Sequence, residues 1–129
     1  MATFNQKRIV GPVRVPTSAS ASTLPSSALY TVGTNTVDII KQIIVTNTAS
    51  AAKTYTLWLK PAAVALGSVN DTHMIFNNFT INANETTFIN LSLVVEYVAG
   101  SVNAGDALYM RASDGTSLNV TISAVQETP

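Results

Sequence analysis

Two segments of the chain alternate strictly between apolar and polar side chains. In residues 118–124 (LNVTISA), Leu118, Val120, Ile122 and Ala124 share one face, and Asn119, Thr121 and Ser123 the other. In residues 53–60 (KTYTLWLK), Tyr55, Leu57 and Leu59 oppose Thr54, Thr56, Trp58 and Lys60. Successive side chains of an extended backbone point to opposite faces, so a period of two marks a strand with one face on a core. Nothing longer than a turn or two repeats at helical spacing. The pattern therefore constrains the chain to an all-β fold.

Further strands follow from β-branched runs between turn signals. These are 29–32, 36–48, 75–82, 86–95 and 108–112. Residues 36–48 (TVDIIKQIIVTNT) are apolar on both faces, which suits a strand covered on both sides or one carrying a bulge. Asn82-Ala83-Asn84-Glu85 has the composition of a tight turn. Ser113-Asp114-Gly115-Thr116 is the strongest hairpin signal, because Asp-Gly supplies the positive φ angles of a tight reversal. Residues 61–72 form the longest loop, and another runs from Gly100 to Gly105. Seven or eight short antiparallel strands separated by such turns predict a single jelly-roll-like β-sandwich.

The surface of such a sandwich must come from short uncharged side chains. The 129 residues include 17 Thr, 12 Ser and 11 Asn, against 7 Lys+Arg and 7 Asp+Glu. Clustered cations for phosphate neutralisation are missing, so nucleic acid is not an expected partner. With no Cys and one His, a disulfide framework, thiol catalysis and structural zinc are excluded or nearly so. No apolar run approaches a membrane span of roughly 18 residues, and the N-terminus shows no signal-peptide core. No cofactor is expected.

Catalytic constellations are also absent. His73 lies in a polar loop without a nucleophile-elbow motif, and most acids sit singly at turns. Oxygen ligands for calcium could come from Asn82, Asn84 and Glu85, or from Asp106 after Asn103, but neither group has the density of a dedicated loop. Five N-x-[ST] sequons, at Asn70, Asn78, Asn84, Asn90 and Asn119, arise naturally where Asn and Thr occupy one strand face two residues apart. The expectation is a non-enzymatic protein.

Residues 1–27 differ from the rest. They hold Lys7, Arg8 and Arg14 but no acid, three prolines, and a Ser/Thr/Ala tract at 17–23. The sequence predicts an extended N-terminal arm over 1–27 and a β-sandwich domain over 28–129. Segments 7–10 and 13–15 of the arm could pair as short strands. The remaining chain carries 4 basic and 7 acidic residues, so a basic arm faces an acidic body. That segregation suits docking of arms on neighbours, with Lys7, Arg8 and Arg14 as contact residues.

Four residues complete the candidate interaction set. If Leu57 and Leu59 face the core, Trp58 faces away from it. Tyr109 alternates with Leu108 and Met110 beside Arg111, and Tyr97 follows the 86–95 strand. Exposed aromatics of this kind could stack on a sugar or fill a subunit interface. Alternatively, a loop or the arm covers Trp58.

The strand order LYTVGTNT, IIKQIIVTNTASAAKTYTLWLKPA, INANETTFINLSLVV and NAGDALYMRASDGTSLNVTISAVQ resembles small all-β virion proteins of tailed bacteriophages. A VTNT-like strand, a TLWL-like strand, a turn-E-T segment and an AGD-x-[IL]-x-x-x-[AS]-S hairpin recur in them. The resemblance covers residues 29–126. It implies a virion location and a role as capsid decoration or cement protein, head fibre, or neck or tail component. It implies major capsid protein or other virion proteins as partners, and a homo-oligomer, trimeric by preference. Lacing of subunits by the arm is likewise an implication of the resemblance. A carbohydrate-binding module using Trp58, Tyr97 or Tyr109 is the alternative from another class.

Overall fold

The computed structural model describes residues 3–20, 22–100 and 105–128. Part of the 100–105 loop, with Asn103 of the calcium candidate, lies outside the described residues, as does Ala21 of the Ser/Thr/Ala tract. Eight strands follow in order: β1 Thr3–Arg14, β2 Tyr30–Thr31, β3 Val37–Asn47, β4 Lys53–Lys60, β5 Met74–Ile81, β6 Thr86–Glu96, β7 Ala107–Ala112 and β8 Leu118–Thr128. Two 3-10 turns, Leu66–Ser68 and Asp71–His73, occupy the long loop before β5.

The strands form two four-stranded sheets, in the orders β1-β8-β3-β6 and β2-β7-β4-β5. Antiparallel pairs link β1 with β8, β2 with β7, β3 with β6 and β4 with β5. The chain is thus one long hairpin, folded so that its paired legs alternate between two sheets. That winding is a jelly roll. Inward rows from both sheets meet in one core, which includes Ile40, Ile43, Val45, Tyr55, Leu57, Leu108, Met110, Leu118, Val120 and Ile122.

Only β4 and β5 are consecutive strands within one sheet; every other connection crosses between sheets. The Asp114-Gly115 signal is therefore corrected: it joins β7 to β8 across the sandwich and closes no hairpin. Gly115 is not among the positive-φ glycines. Instead, the Asp114 carboxylate shapes the reversal, accepting the Thr116 N–H at 3.0 Å and the Ser117 hydroxyl at 2.8 Å. It also pairs with Lys53 at 2.8 Å, and these partners hold its carboxyl well below the usual range. The 82–85 turn forms as expected, with the Glu85 N–H donating to the Asn82 carbonyl at 3.2 Å. Asn47, 1% exposed, fastens it to the β3–β4 corner by donating to the Ile81 and Asn82 carbonyls.

The two-sided apolar pattern of residues 36–48 has a local cause. The register of β3 shifts between Ile40 and Gln42 against both neighbours. Asp38 and Ile40 are buried before the shift, and Ile43, Val45 and Asn47 after it. Ile39 and Ile44 remain on the outer face, half-buried.

Residues 1–27, expected to extend as an arm, lie against their own chain where described. β1 pairs with β8 from Thr3↔Thr128 to Arg14↔Asn119, with two register shifts. Val10 and Val15 join the core at 5% and 0% exposure. Beyond β1 the chain runs along β7: the Pro16 carbonyl accepts the Ala112 N–H, and the Leu29 N–H donates to the Leu108 carbonyl, both at 2.8 Å.

Candidate interaction surface

The outer faces of the two sheets are finished differently. On the β2-β7-β4-β5 sheet, Trp58 sits beside Tyr109, and Thr56 beside Arg111. Trp58 is 0% exposed and Tyr109 7%. Leu24 and Ala28, from the stretch between β1 and β2, and Val69, from the loop before β5, pack over them, with Met74 at the start of β5 alongside Trp58. Of the two readings of Trp58, the structure matches the second: the ring faces outward as alternation predicts, and the arm and the loop before β5 cover it, so no open aromatic surface forms there. Arg111 is half-buried in the same layer. Tyr97 is half-buried against the main core, and its backbone bridges to Gly105.

Lys7, Arg8 and Arg14 are exposed on β1, at the edge of the other sheet. Lys7 Nζ donates to Gln126 Oε1 at 2.9 Å, and Gln126 Nε2 donates to Asp38 Oδ1 at 2.8 Å. The Tyr30 hydroxyl donates to Asp38 Oδ2. Asp38 is fully buried, so this relay gives its carboxylate two donors and ties it to a surface cation. Burial first, and then the bond to Asp38 and its charge, push the Tyr30 phenol up. Arg14 reaches the Thr48 hydroxyl at 3.4 Å. Of the seven candidate residues, the structure gathers three on an open edge and two beneath a cover, with Arg111 half-buried on the same sheet, and leaves Tyr97 apart.

Sequence reasoning missed the outer face of the β1-β8-β3-β6 sheet. Ile44 lies beside Phe88, and Ile39 beside Val94. Phe88 is 62% exposed and Val94 50%. The signal was the apolar outer row of β3, together with Phe88 and Val94 out of phase with Ile89, Leu91 and Leu93. Polar pairs share this face, with Gln42 bonded to Asn90 and Thr46 to Thr86, so the exposed apolar groups form two separate pairs that are contact candidates.

The AGD element quoted above also has a structural explanation. A Cβ on Gly105 would lie 2.7 Å from the Val32 carbonyl oxygen, so only glycine fits that approach. Asp106 Oδ1 accepts the Ala62 N–H at 2.7 Å, and Oδ2 the Glu96 N–H at 3.0 Å. Near it Lys60, 5% exposed, donates to the Pro61 and Val64 carbonyls. Burial pushes its ammonium down, partly offset by the charge of Asp106. These groups pin loops.

His73 Nδ1 accepts the Asn70 N–H at 3.0 Å, within a capping box. Among the described residues no three His, Asp or Glu side chains cluster as metal ligands. No helix among them is long and apolar enough to cross a membrane. The sequon residues Asn70, Asn78, Asn84 and Asn90 are exposed, and Asn119 is half-buried.

No protein-family model matches the chain, and no curated protein matches it. Solved structures do. A chain of the T13 particle of infectious bursal disease virus (IBDV) aligns with a TM-score of 0.56 at 7% identity, over 98% of this chain and 31% of that one. A chain of the Gx strain of the same virus aligns with a TM-score of 0.52 at 8% identity, over 98% and 32%. This chain spans just under a third of the length of those it matches. At such identity the likeness is one of fold, and the chain has the all-β sandwich fold found in those viral particle proteins.

Proposed function

We propose that the protein is a non-enzymatic structural component of a virion: a capsid decoration or cement protein of a tailed bacteriophage that bridges and stabilises major capsid protein subunits. The observation that carries this reading is the asymmetry of the sandwich. One sheet is covered around Trp58 and Tyr109 by the chain's own segments, while the other exposes Phe88 and Val94 beside Ile44 and Ile39 on its outer face and carries a basic edge. A small rigid wedge of this form adds contact area between shell subunits without large ordering costs of its own. The fold shared with viral particle chains supports the reading, and so does the resemblance to phage virion proteins. Contacts to neighbours run through the N-terminal residues, with Lys7, Arg8 and Arg14 as the contact cations. A glycan platform at Trp58 has no support, since that ring is covered.

The test is the protein inventory of purified particles, with stoichiometry. A copy number comparable to that of the major capsid protein supports decoration. A handful per particle would indicate a neck, tail or fibre position instead, and absence from particles would overturn the proposal. Truncation of residues 1–27 is a poor probe, because Val10 and Val15 belong to the core. The triple charge reversal K7E/R8E/R14E leaves the core intact and should lower occupancy. Full occupancy by this variant would sink the role of the basic edge.

A further inference from the structure

The β1-β8-β3-β6 sheet ends in two edges with opposite character. β1 carries Lys7, Arg8 and Arg14 and no acid, and none of the three is in an ion pair among the described residues. β6 carries no Lys or Arg; Glu96 ends it and Glu85 immediately precedes it. Both glutamates are exposed. The strands are 12 and 11 residues long, and each is paired on one side only.

The edges also differ in protection. Natural edge strands are usually blunted by Lys, Pro or bulges, because a free row of N–H and C=O groups invites pairing with another chain. β1 has such devices, including Lys7, Pro12 and two register shifts, although residues 3–8 pair regularly with β8. β6 carries one register shift, between Asn90 and Leu93, but over its eleven residues it has no Pro, Gly, Lys or Arg. Its inward row of Ile89, Leu91 and Leu93 is only partly buried, so the sandwich is open along this side.

We propose that β6 is the docking edge for β1 of a second copy of this chain, which extends the sheet head-to-tail from one copy to the next. Strand polarity permits it. Within one copy, β1 opposes β8, β8 opposes β3, and β3 opposes β6. Thus β1 and β6 run oppositely. Rotation about an axis along the strands leaves these directions unchanged, so the incoming β1 is antiparallel to β6 at the usual spacing of about 4.8 Å. The incoming strand sets a cationic edge against an acidic one and extends the layer beside Ile89, Leu91 and Leu93. A head-to-tail contact between different surfaces closes into a ring when the rotation permits. This deepens the reading above by naming what the β1 edge meets; it is tested without capsids, so the two can fail separately.

The experiment is sedimentation velocity on the purified full chain. The wild type should form a closed ring of three or more copies that weakens as salt is raised. K7E/R8E/R14E alone, and E85K/E96K alone, should each weaken association about tenfold or more, and their combination in one chain should restore it. Unchanged melting curves establish that the variants are folded, as expected for exposed side chains. Hydrogen exchange supplies a second readout: the amides of residues 87–95 should gain protection on association. A monomeric wild type would overturn the proposal. So would an oligomer indifferent to the β1 reversal, as a symmetric β6–β6 dimer would be, or an oligomer whose β6 amides gain no protection.

Discussion

Asp106 accepts the backbone N–H of Ala62, 44 residues away in sequence, at 2.7 Å. Its other oxygen takes the Glu96 N–H at 3.0 Å, so one carboxylate fixes both the loop leaving β4 and the end of β6. Lys60, buried beside it, has two carbonyl acceptors and Asp106 as its nearby counter-charge. Asp106 and Lys60 thus form a buried polar knot at one end of the sandwich.

Asp106→Ala strands two backbone donors and leaves a buried ammonium without its opposing charge. The expected loss is about 3 kcal/mol, the scale of buried hydrogen bonds to a charged group. Asp106→Asn should lose less, because its amide oxygen still serves one donor. Adding Lys60→Met to Asp106→Ala should recover part of the loss, since the uncompensated cation goes with it. Urea unfolding of the four proteins measures these differences.

Two glycines offer a contrast within one molecule. Gly11 has φ +68°, and a Cβ there would lie 2.2 Å from the Val120 carbonyl oxygen of β8. Gly11→Ala must therefore push β1 from its partner, at a cost of about 2 kcal/mol or more. At Gly67 an added Cβ meets nothing within 4 Å. Gly67→Ala should stay within about 0.5 kcal/mol of wild type. Equal effects in thermal melts would contradict the placement of β1.

The strands were legible because alternation is local. Residues 53–60 form β4 as read, and 118–124 lie within β8. What local pattern could not convey was partnership. Asp114-Gly115 announces a reversal, but nothing near it says that β7 and β8 belong to different sheets. Alternation puts Trp58 on the outer face but does not name its cover, which comes from Leu24, Ala28 and Val69, in segments with no periodicity, beside Met74 of β5. Lys7, Arg8 and Arg14 stood out by charge, yet the pairing of their strand with β8 depends on contacts more than a hundred residues away. The open outer face was hinted at by Ile39 and Ile44. Only the register shift near Lys41 shows why those residues face out while Ile40 and Ile43 face in.

Two tyrosines should govern behaviour at alkaline pH. Burial raises the phenols of Tyr30 and Tyr55, and Asp38 raises Tyr30 further. A phenol whose native value lies above the unfolded one, about 10, stabilises the fold fully below that value. The contribution is lost as pH rises through the native value. Stability should thus decline above pH 10, and these two tyrosines should ionise only as the protein unfolds. Spectrophotometric titration measures this. At neutral pH the pair should differ. The buried Tyr55 hydroxyl has no hydrogen-bond partner among the described residues, so Tyr55→Phe should be neutral or stabilising by about 1 kcal/mol. Tyr30→Phe removes a donor from buried Asp38 and should cost about 2 kcal/mol.

Trp58 is the only tryptophan, so its fluorescence reports on the cover of one sheet alone. With the ring fully buried, native emission should be blue-shifted and insensitive to soluble quenchers. Leu24→Asp places a charge in the lid, which can be accommodated only if the stretch between β1 and β2 lifts away. That variant should show red-shifted, quenchable emission at temperatures where far-ultraviolet circular dichroism still reports intact sheets. Trp58→Ala removes the largest buried side chain and should cost about 3–5 kcal/mol. If dilute wild-type protein were already fully quenchable, this stretch would not seal its own sandwich. The aromatic pair Trp58 and Tyr109 would then return as a surface open to partners.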